Sequence, residues 1–286
     1  MKIIKQFVSL RLFFLCLCLP CLSAQAMTAH LNADYTILPF KLLYQLPIFT
    51  LQIQGHRIPA FIDLGSSNTW IALNQSLAKN LAVTDDKKQT YFLQNRCGQR
   101  YQTTLVRLPD ATLGSVIFTQ VPTLIFSATP ACSFSSSVKK LDHYGIIGTN
   151  LLKSFRLILD YPHQRFVLVK NRLPKPYAKL RWIVLPLKQT PEGNISSRVL
   201  INGQPVNAVW DTGATTSVVS KEYASDAKQP ENKLPLSIAN HDFGKLDFYV
   251  LPQNHSPYAA SIGNNFFANH IVLIDFNRNE LRIGQA

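Results

Sequence analysis

The sequence predicts an all-β protein built from two similar halves related by a pseudo-twofold axis. Two observations support this: short strands dominate the chain, and one signature occurs twice. The first copy pairs Gly55 with Asp63-Leu64-Gly65 and the second pairs Gly203 with Asp211-Thr212-Gly213, with eight residues from glycine to aspartate in both. Such internal repetition indicates a duplicated architecture. One aspartate per half is what a two-carboxylate site assembled across the axis requires.

The strands that carry these aspartates come first in each half. Residues 50–54 and 198–202 each lead through a glycine turn into a second strand that ends at the aspartate. Alternating apolar and polar residues with Gly, Pro or Asn punctuation are typical of half-buried strands joined by hairpins. Helix is expected only in short pieces, near residues 76–81, 150–154 and 265–269.

A second pair of matching segments closes each half. Gly148-Thr149-Asn150 and Gly263-Asn264-Asn265 have the same offset of 115 residues as Asp160 and Asp275 further along. The apolar stretches that end at these aspartates, residues 155–161 and 271–276, are expected to be core strands. We interpret Asp160 and Asp275 as structural residues at strand-to-turn junctions.

Residues 1–26 have the pattern of a signal peptide. A positive beginning is followed by an apolar core from Leu12 to Leu22 and a small-x-small site at Ala24-Gln25-Ala26. The alternative is an uncleaved anchor, but the apolar run is short for a span of about 20 residues. We expect an exported protein, with periplasmic and secreted destinations both open.

The remaining 260 residues are enough for two modest domains. We place the N-terminal lobe at residues 27–172, a linker at 173–180 and the C-terminal lobe at 181–286. The linker begins with Leu173-Pro174-Lys175-Pro176, whose prolines favour an extended connection over a helix.

The mature chain is basic, with 26 Lys and Arg against 16 Asp and Glu, a net charge of about +10. This charge favours weak contact with anionic surfaces. The alternative, which the scatter of the basic residues favours, is an ordinary solvated surface. Because the basic residues are scattered and form no recognisable nucleic-acid module, no nucleic-acid partner is expected.

Two cysteines, Cys97 and Cys132, remain after the signal peptide. An even count in an exported chain predicts one disulfide, which stabilises by about 3–4 kcal/mol in the chain-entropy model. Two free buried thiols are the alternative. Neither cysteine has a His or Cys nearby at ligand spacing, so no metal site is predicted.

An aspartate on a tight Asp-x-Gly turn is held rigidly with its oxygens exposed. If the halves pack about a twofold axis, Asp63 and Asp211 come within hydrogen-bonding distance and share one proton. The charged member can then activate a water molecule while the protonated member polarises a peptide carbonyl. This chemistry needs neither a metal nor another cofactor.

These motifs resemble those of pepsin-like and retropepsin-like aspartic peptidases. Residues 63–70, which end at Trp70, are similar to the first active-site loop of pepsins, and Trp210-Asp211-Thr212-Gly213-Ala214-Thr215 is similar to the second. Ile146-Ile147-Gly148 and Ser261-Ile262-Gly263 resemble the segments that thread under each loop, and residues 151–161 resemble bacterial retropepsin-like domains. The resemblance covers most of residues 46–286. It implies the two-lobed acid-protease fold, in which two duplicated β-barrel lobes lie on either side of a cleft.

The resemblance also implies roles for the residues around the dyad. Ser66 matches the family residue whose hydroxyl bonds to the carboxylate, whereas Ala214 has no hydroxyl. We therefore expect Asp63 to ionise first and Asp211 to hold the proton. Supporting positions in the two loops are Gly65, Ser66, Thr212, Gly213 and Thr215. Leu64 departs from the family, because it stands where a Thr or Ser normally bonds to the opposite loop.

A flap over the cleft is the remaining family feature. Pepsins place a tyrosine on a first-lobe hairpin, and the candidates are Tyr91 and Tyr101, with Tyr91 slightly favoured by the preceding Thr90. Packing on a sheet face is the alternative for both. Trp70 would stand beside the flap.

The sequence thus predicts a monomeric aspartic endopeptidase that cleaves peptides or unfolded proteins. The alternative is a non-catalytic peptide- or protein-binding protein with the same fold, which Leu64 and the short second lobe favour. Because both aspartate loops lie in one chain, assembly of the site from two chains is not expected.

Overall fold

The computed structural model describes residues 26–83, 89–94, 100–126, 143–191, 193–251 and 258–285. The signal segment up to residue 25 and both mature cysteines lie outside these residues, so the signal peptide and the disulfide stay predictions. The strands of the N-terminal half are β1 Thr28–His30, β2 Tyr35–Pro39, β3 Lys41–Leu43, β4 Leu46–Ile53, β5 His56–Asp63, β6 Ile71–Asn74, β7 Gln89–Gln94, β8 Arg100–Leu113, β9 Val116–Phe126, β10 Gly145–Gly148, β11 Arg156–Asp160 and β12 Arg165–Val169.

The strands of the C-terminal half follow a similar order. They are β13 Arg181–Pro186, β14 Lys188–Gln189, β15 Ile195–Ile201, β16 Gln204–Trp210, β17 Ser217–Val219, β18 Glu231–Ile238, β19 His241–Val250, β20 Ala260–Ile262, β21 Ile271–Asp275 and β22 Glu280–Gln285. The α-helices in the described residues are α1 Gln75–Asn80, α2 Thr149–Leu152, α3 Lys175–Ala178 and α4 Asn264–Phe267, and the 3-10 helices are Tyr161–His163 and Lys221–Tyr223. Three of the α-helices lie where the sequence predicts short helical pieces.

Each half contains a closed barrel of six strands. In the N-terminal half the pairing runs β4-β5-β10-β6-β9-β8 and returns from β8 to β4. In the C-terminal half the equivalent pairing runs β15-β16-β20-β17-β19-β18 and returns from β18 to β15. Closure removes the exposed sheet edges that would otherwise invite aggregation. The predicted all-β fold with two duplicated barrel lobes is confirmed.

The hairpin that leads to each aspartate has the same turn. Gln54 and Gly55 both have positive φ, 48° and 82°, as do Asn202 and Gly203, 52° and 73°. Two central residues with positive φ suit the right-handed twist of paired strands. The turn fixes the register of β4 with β5 and of β15 with β16, so each strand delivers its aspartate at the same place in its barrel.

A third sheet joins the two halves. Its strand order is β13-β22-β21-β11-β12-β2, and β11 pairs antiparallel with β21 at its centre, with Ile158 opposite Leu273. This interlobe sheet is symmetric, with three strands from each half. Its inner face contributes to the main apolar core, which is continuous through both barrels. The duplication seen in the sequence is therefore also the symmetry of the interface.

The linker does not have the extended form that the prolines predicted. Residues Lys175–Ala178 form the short helix α3, with Pro174 as its N-cap and Pro176 in its first turn. Proline is tolerated there because the first N–H groups of a helix have no intrahelical partner. The helix buries Tyr177 against Ile158, Val167 and Leu273 on the outer face of the interlobe sheet.

No helix in the described ranges is long and apolar enough to cross a membrane. The proposed domain limits stay a prediction.

Candidate active site

The Asp63 loop begins where β5 ends and is stabilised by its own hydrogen bonds. The Gly65 amide donates to Asp63 Oδ1 at 2.9 Å, and the Ser66 hydroxyl donates to Asp63 Oδ2 at 2.7 Å. Both donors favour the charged form of the carboxyl group. The side chain of Asp63 is only partly buried. The Ser66 hydroxyl therefore lies where the family resemblance implies.

The Asp211 loop is built in the same way after β16. The Gly213 amide donates to Asp211 Oδ1 at 2.9 Å. Asp211 and Thr212 are fully buried, whereas Gly213 and Thr215 are partly exposed. Ala214 occupies the position equivalent to Ser66, so this loop has no hydroxyl there.

The two loops meet face to face. A Cβ atom placed on Gly213 would stand 2.5 Å from Asp63 Cγ, and one placed on Gly65 would stand 2.7 Å from Asp211 Cγ. Each carboxyl group therefore lies directly against the glycine of the opposite loop. Side chains at these two positions would force the loops apart. The glycines thus permit the close approach that the sequence predicts for the Asp-x-Gly turns.

A cross-brace below the carboxyl groups links the halves through one hydroxyl. Thr212 Oγ1 accepts from the Leu64 amide at 3.1 Å and donates to the Ile62 carbonyl at 2.7 Å. The reciprocal hydroxyl is absent because position 64 is leucine, whose side chain is fully buried in the apolar core instead. The brace is thus one-sided, and Leu64 is accommodated by packing.

The threading segments lie under the loops as the resemblance implies. Gly148 pairs with Asp63 in parallel register, and Ile262 pairs with Trp210. A Cβ on Gly148 would stand 2.3 Å from the Thr69 carbonyl oxygen, so this glycine permits the close passage under the loop. Gly263 is similarly enclosed, because a Cβ placed on it would stand 2.7 Å from the backbone carbonyl carbon of Thr216.

The residues that follow these glycines hold the loops from below. Thr149 Oγ1 donates to the Leu64 carbonyl at 3.0 Å, and Asn264 Nδ2 donates to the Thr212 carbonyl at 2.9 Å. Asn264 Oδ1 also accepts a hydrogen bond from the Tyr161 hydroxyl. Sequence analysis missed these contacts. Thr149 and Asn264 lay inside the repeated motif and could have been noticed as its polar members, whereas nothing in the sequence marked Tyr161.

The predicted flap residues lie on one hairpin. Tyr91 in β7 pairs with Thr103 and Tyr101 in β8 pairs with Leu93, so the backbone places both on the projecting ribbon. Residues 95–99, which include Cys97, lie outside the described residues. Trp70 is partly buried against the main core, and its carbonyl accepts from the Gly148 amide at 2.9 Å. Which of the two tyrosines is the flap residue stays open. No cluster of three metal-ligating side chains occurs in the described ranges.

Two six-stranded barrels that each supply one Asp-x-Gly loop to a shared site define the acid-protease class of proteins. The sequence profile described as aspartyl protease matches residues 49–151 and 197–241, just over half of the chain. The protein belongs to this aspartyl protease family. No curated protein matches the chain.

Solved structures with the same fold include two basic 7S globulins from plants. Basic 7S globulin from soybean is 13% identical with a TM-score of 0.54, and conglutin gamma, a basic 7S globulin from lupine seeds, is 10% identical with a TM-score of 0.56. Each match covers 88% of this chain and 95% of the other. At this identity the similarity establishes the fold alone. Both are named as globulins, so their names do not indicate peptidase activity.

Proposed function

We propose that this protein is an aspartic endopeptidase that hydrolyses peptide bonds with a water molecule activated by Asp63 and Asp211. The observation that carries the proposal is the reciprocal packing of each carboxyl group against the glycine of the opposite loop. Like charges at the meeting point of the two loops oppose each other, so the proposed mechanism uses one charged and one protonated carboxyl group.

The hydrogen bonds support our proposal of different roles for the two groups. Asp63 accepts from the Gly65 amide and the Ser66 hydroxyl, whereas the second loop has Ala214 in place of Ser66. Asp63 is therefore the carboxylate that acts as general base, and Asp211 holds the shared proton. A carboxyl-group titration by NMR that places the first deprotonation on Asp211 would reject this assignment.

The reaction follows from these protonation states. Asp63 takes a proton from water while the oxygen of that water attacks the peptide carbonyl, whose oxygen takes the proton of Asp211. The resulting diol breaks its C–N bond as the leaving amine takes the proton from Asp63. The remaining acid returns a proton to Asp211 as its carbonyl reforms. No covalent intermediate with the protein is needed.

The substrate is an extended peptide or an unfolded protein. It would bind as an added strand under the β7-β8 hairpin, where backbone hydrogen bonds outweigh sequence preference. Tyr91 or Tyr101, with Trp70 beside it, would cover the bound strand. We further propose that the protein acts as a monomer after export, in the periplasm or outside the cell, with weak attraction to anionic surfaces.

A second candidate is a non-catalytic protein that holds a peptide in the same cleft. Two observations favour it: Leu64 leaves the cross-brace one-sided, and two proteins with the same fold are named as globulins. The lost hydrogen bond is worth about 0.5–1.5 kcal/mol. That is small compared with the free energy that a catalytic dyad contributes, so we place catalysis first.

A cleavage profile separates the two candidates. Purified protein is incubated with a mixed peptide library between about pH 3 and 7, with and without a statine-type inhibitor, beside an Asp211→Asn variant. We expect inhibitor-sensitive cleavage that the variant lacks. Binding of library peptides without any cleavage by the wild type would favour the non-catalytic function.

A further inference from the structure

We infer that Tyr161 and Asn264 are positioning residues for the Asp211 loop, and that they compensate for the hydroxyl missing at Leu64. The inference rests on the proposed function, because it assigns these residues to the geometry of the same dyad. It is carried by a buried hydrogen-bond network that crosses between the halves directly beneath Asp211.

Both N–H donors and the oxygen of the Asn264 side chain have hydrogen-bond partners, three in all. Its Nδ2 donates to the Thr212 carbonyl and to the Gln45 carbonyl, both at 2.9 Å, and its Oδ1 accepts from the Tyr161 hydroxyl at 2.6 Å. Turning the amide over would put Oδ1 against two carbonyl oxygens, which also accept. The network therefore fixes one orientation of this side chain.

The Thr212 carbonyl belongs to the peptide group that also carries the Gly213 amide. This amide donates to Asp211 Oδ1, and because the peptide group is planar, holding its carbonyl orients its N–H. Asn264 thus directs the donor that binds the carboxyl group. In the first loop Thr149 does the same through the Leu64 carbonyl, whose peptide group carries the Gly65 amide.

The two loops differ in whether their supporting hydrogen bonds cross from one half to the other. Thr149 and Leu64 both lie in the N-terminal half, so that contact is internal to one lobe. Asn264 lies in the C-terminal half, whereas its partners Gln45 and Tyr161 come from the other half. This extra interlobe connection supports the same loop to which Leu64 contributes no hydroxyl.

The surroundings of Tyr161 keep its hydroxyl a constant donor. The side chain is 4% exposed and packs against Phe40, Phe166 and Phe267. Burial, with the negative charge of Asp211 adding to it, raises the pKa of Tyr161 well above its ordinary value. The phenol stays protonated through the pH range in which such a dyad works.

The test compares two substitutions that each remove one buried hydroxyl. Tyr161→Phe removes the donor to Asn264. Tyr177→Phe removes a hydroxyl of similar burial, 3% exposed, that donates to Asp160 at 2.7 Å on the outer face of the interlobe sheet. Tyr177→Phe should cost at least as much stability, because its hydroxyl donates to a charged carboxyl group rather than to a neutral amide. A purely structural role therefore predicts no larger change in kcat or in titration for Tyr161→Phe than for Tyr177→Phe.

Two readouts are taken on each full-length variant. We expect Tyr161→Phe to lower kcat about tenfold with KM changed less than about twofold, because a misplaced catalytic group costs transition-state stabilisation. We also expect the paired titration of the dyad, followed by carboxyl NMR of Asp-labelled protein, to move by at least about half a pH unit. Tyr177→Phe should change neither.

The outcomes are separable from those of the proposed function. If the wild type cleaves nothing but the titration moves in Tyr161→Phe alone, the positioning role stands and the peptidase proposal fails. If the wild type is active and the two variants match in kcat and in titration, the positioning role is overturned. Asn264→Thr, which copies Thr149 but loses the bonds to both Gln45 and Tyr161, provides a second variant and should lower kcat at least as much as Tyr161→Phe. A value equal to wild type would also overturn the inference.

Discussion

Gly213 lies so close to the carboxyl group of Asp63 that a Cβ atom there would stand 2.5 Å from Asp63 Oδ1. The reverse contact is similarly close, since a Cβ atom on Gly65 would stand 2.7 Å from Asp211 Oδ1. Each half of the protein thus leaves room for the acid of the other, and this mutual fit brings the two aspartates together.

Gly213→Ala should therefore disable the site while leaving the fold intact. The added methyl group has to push Asp63 or its own loop away, and a displacement of about 1 Å costs about 100-fold in rate. The measurement is kcat/KM on a peptide found in the library profile, with circular dichroism as the check on folding.

Gly203→Ala is the matched control for this change. Gly203 has φ +73° and no atom within 4 Å of an added Cβ, so the substitution strains only the backbone. We expect a stability loss of about 1–2 kcal/mol with kcat/KM nearly unchanged. Equal activity in the two alanine variants would contradict the close contact of the loops.

Ser66→Ala should move the acid limb of the pH–activity profile to higher pH. The hydroxyl stabilises the charged carboxyl group of Asp63 at 2.7 Å, and its loss makes that group harder to ionise. We expect a movement of about one pH unit. Ala214→Ser, which adds the equivalent hydroxyl beside Asp211, should leave that limb closer to wild type. An unchanged profile in Ser66→Ala would remove the basis for the assigned roles.

Thr212→Val should cost more activity than Thr149→Val, although both remove one buried hydroxyl. Thr212 Oγ1 serves the Leu64 amide and the Ile62 carbonyl across the lobe interface, whereas Thr149 Oγ1 serves one carbonyl. Leaving two buried groups unsatisfied costs about 2–4 kcal/mol, against about 1–2 kcal/mol for one. Urea denaturation and kcat measured together test this, and a larger loss for Thr149→Val would be the contrary result.

Asp160 should contribute stability that is lost in acid. Burial alone would raise its pKa, but hydrogen bonds from Tyr177, His163 and Arg165 outweigh burial, so the pKa of Asp160 lies below its ordinary value of 3.8. Because the folded-state pKa is depressed, the stabilisation is complete well above pH 3.8 and declines as the pH falls through the lower folded-state value.

Asp160→Asn should accordingly lower the free energy of unfolding by about 2–3 kcal/mol at pH 7, with the deficit shrinking below about pH 4. The equivalent Asp275 is the control, since its ion-pair partner Arg278 is 3.9 Å away and largely exposed. Asp275→Asn should cost less than about 1 kcal/mol. A deficit for Asp160→Asn that does not change with pH would contradict the role of its charge.

The duplicated motifs were enough to predict the architecture. Gly55 with Asp63 and Gly203 with Asp211 mark the same hairpin in each barrel, because the turn fixes the register of the strand that carries the aspartate. Ser66 could also be placed beside its carboxyl group, since the two residues are only three positions apart.

Contacts between distant parts of the chain could not be predicted. Tyr161 and Asn264 are 103 residues apart, and only the packing of the two halves brings the hydroxyl to the amide. The linker helix was missed for a local reason. Pro174 and Pro176 disfavour a helix in its interior, but they fall at its beginning, where their missing N–H groups leave no bond unmade.

The most direct measurement of the central claim is kcat for Asp63→Asn, Asp211→Asn and the double variant on one cleaved peptide. If the two aspartates act as one dyad, each single substitution removes at least about 1000-fold of the rate and the double variant is no worse, because members of one catalytic unit are not additive. Substantial activity in either single variant, or losses that multiply in the double variant, would contradict the dyad.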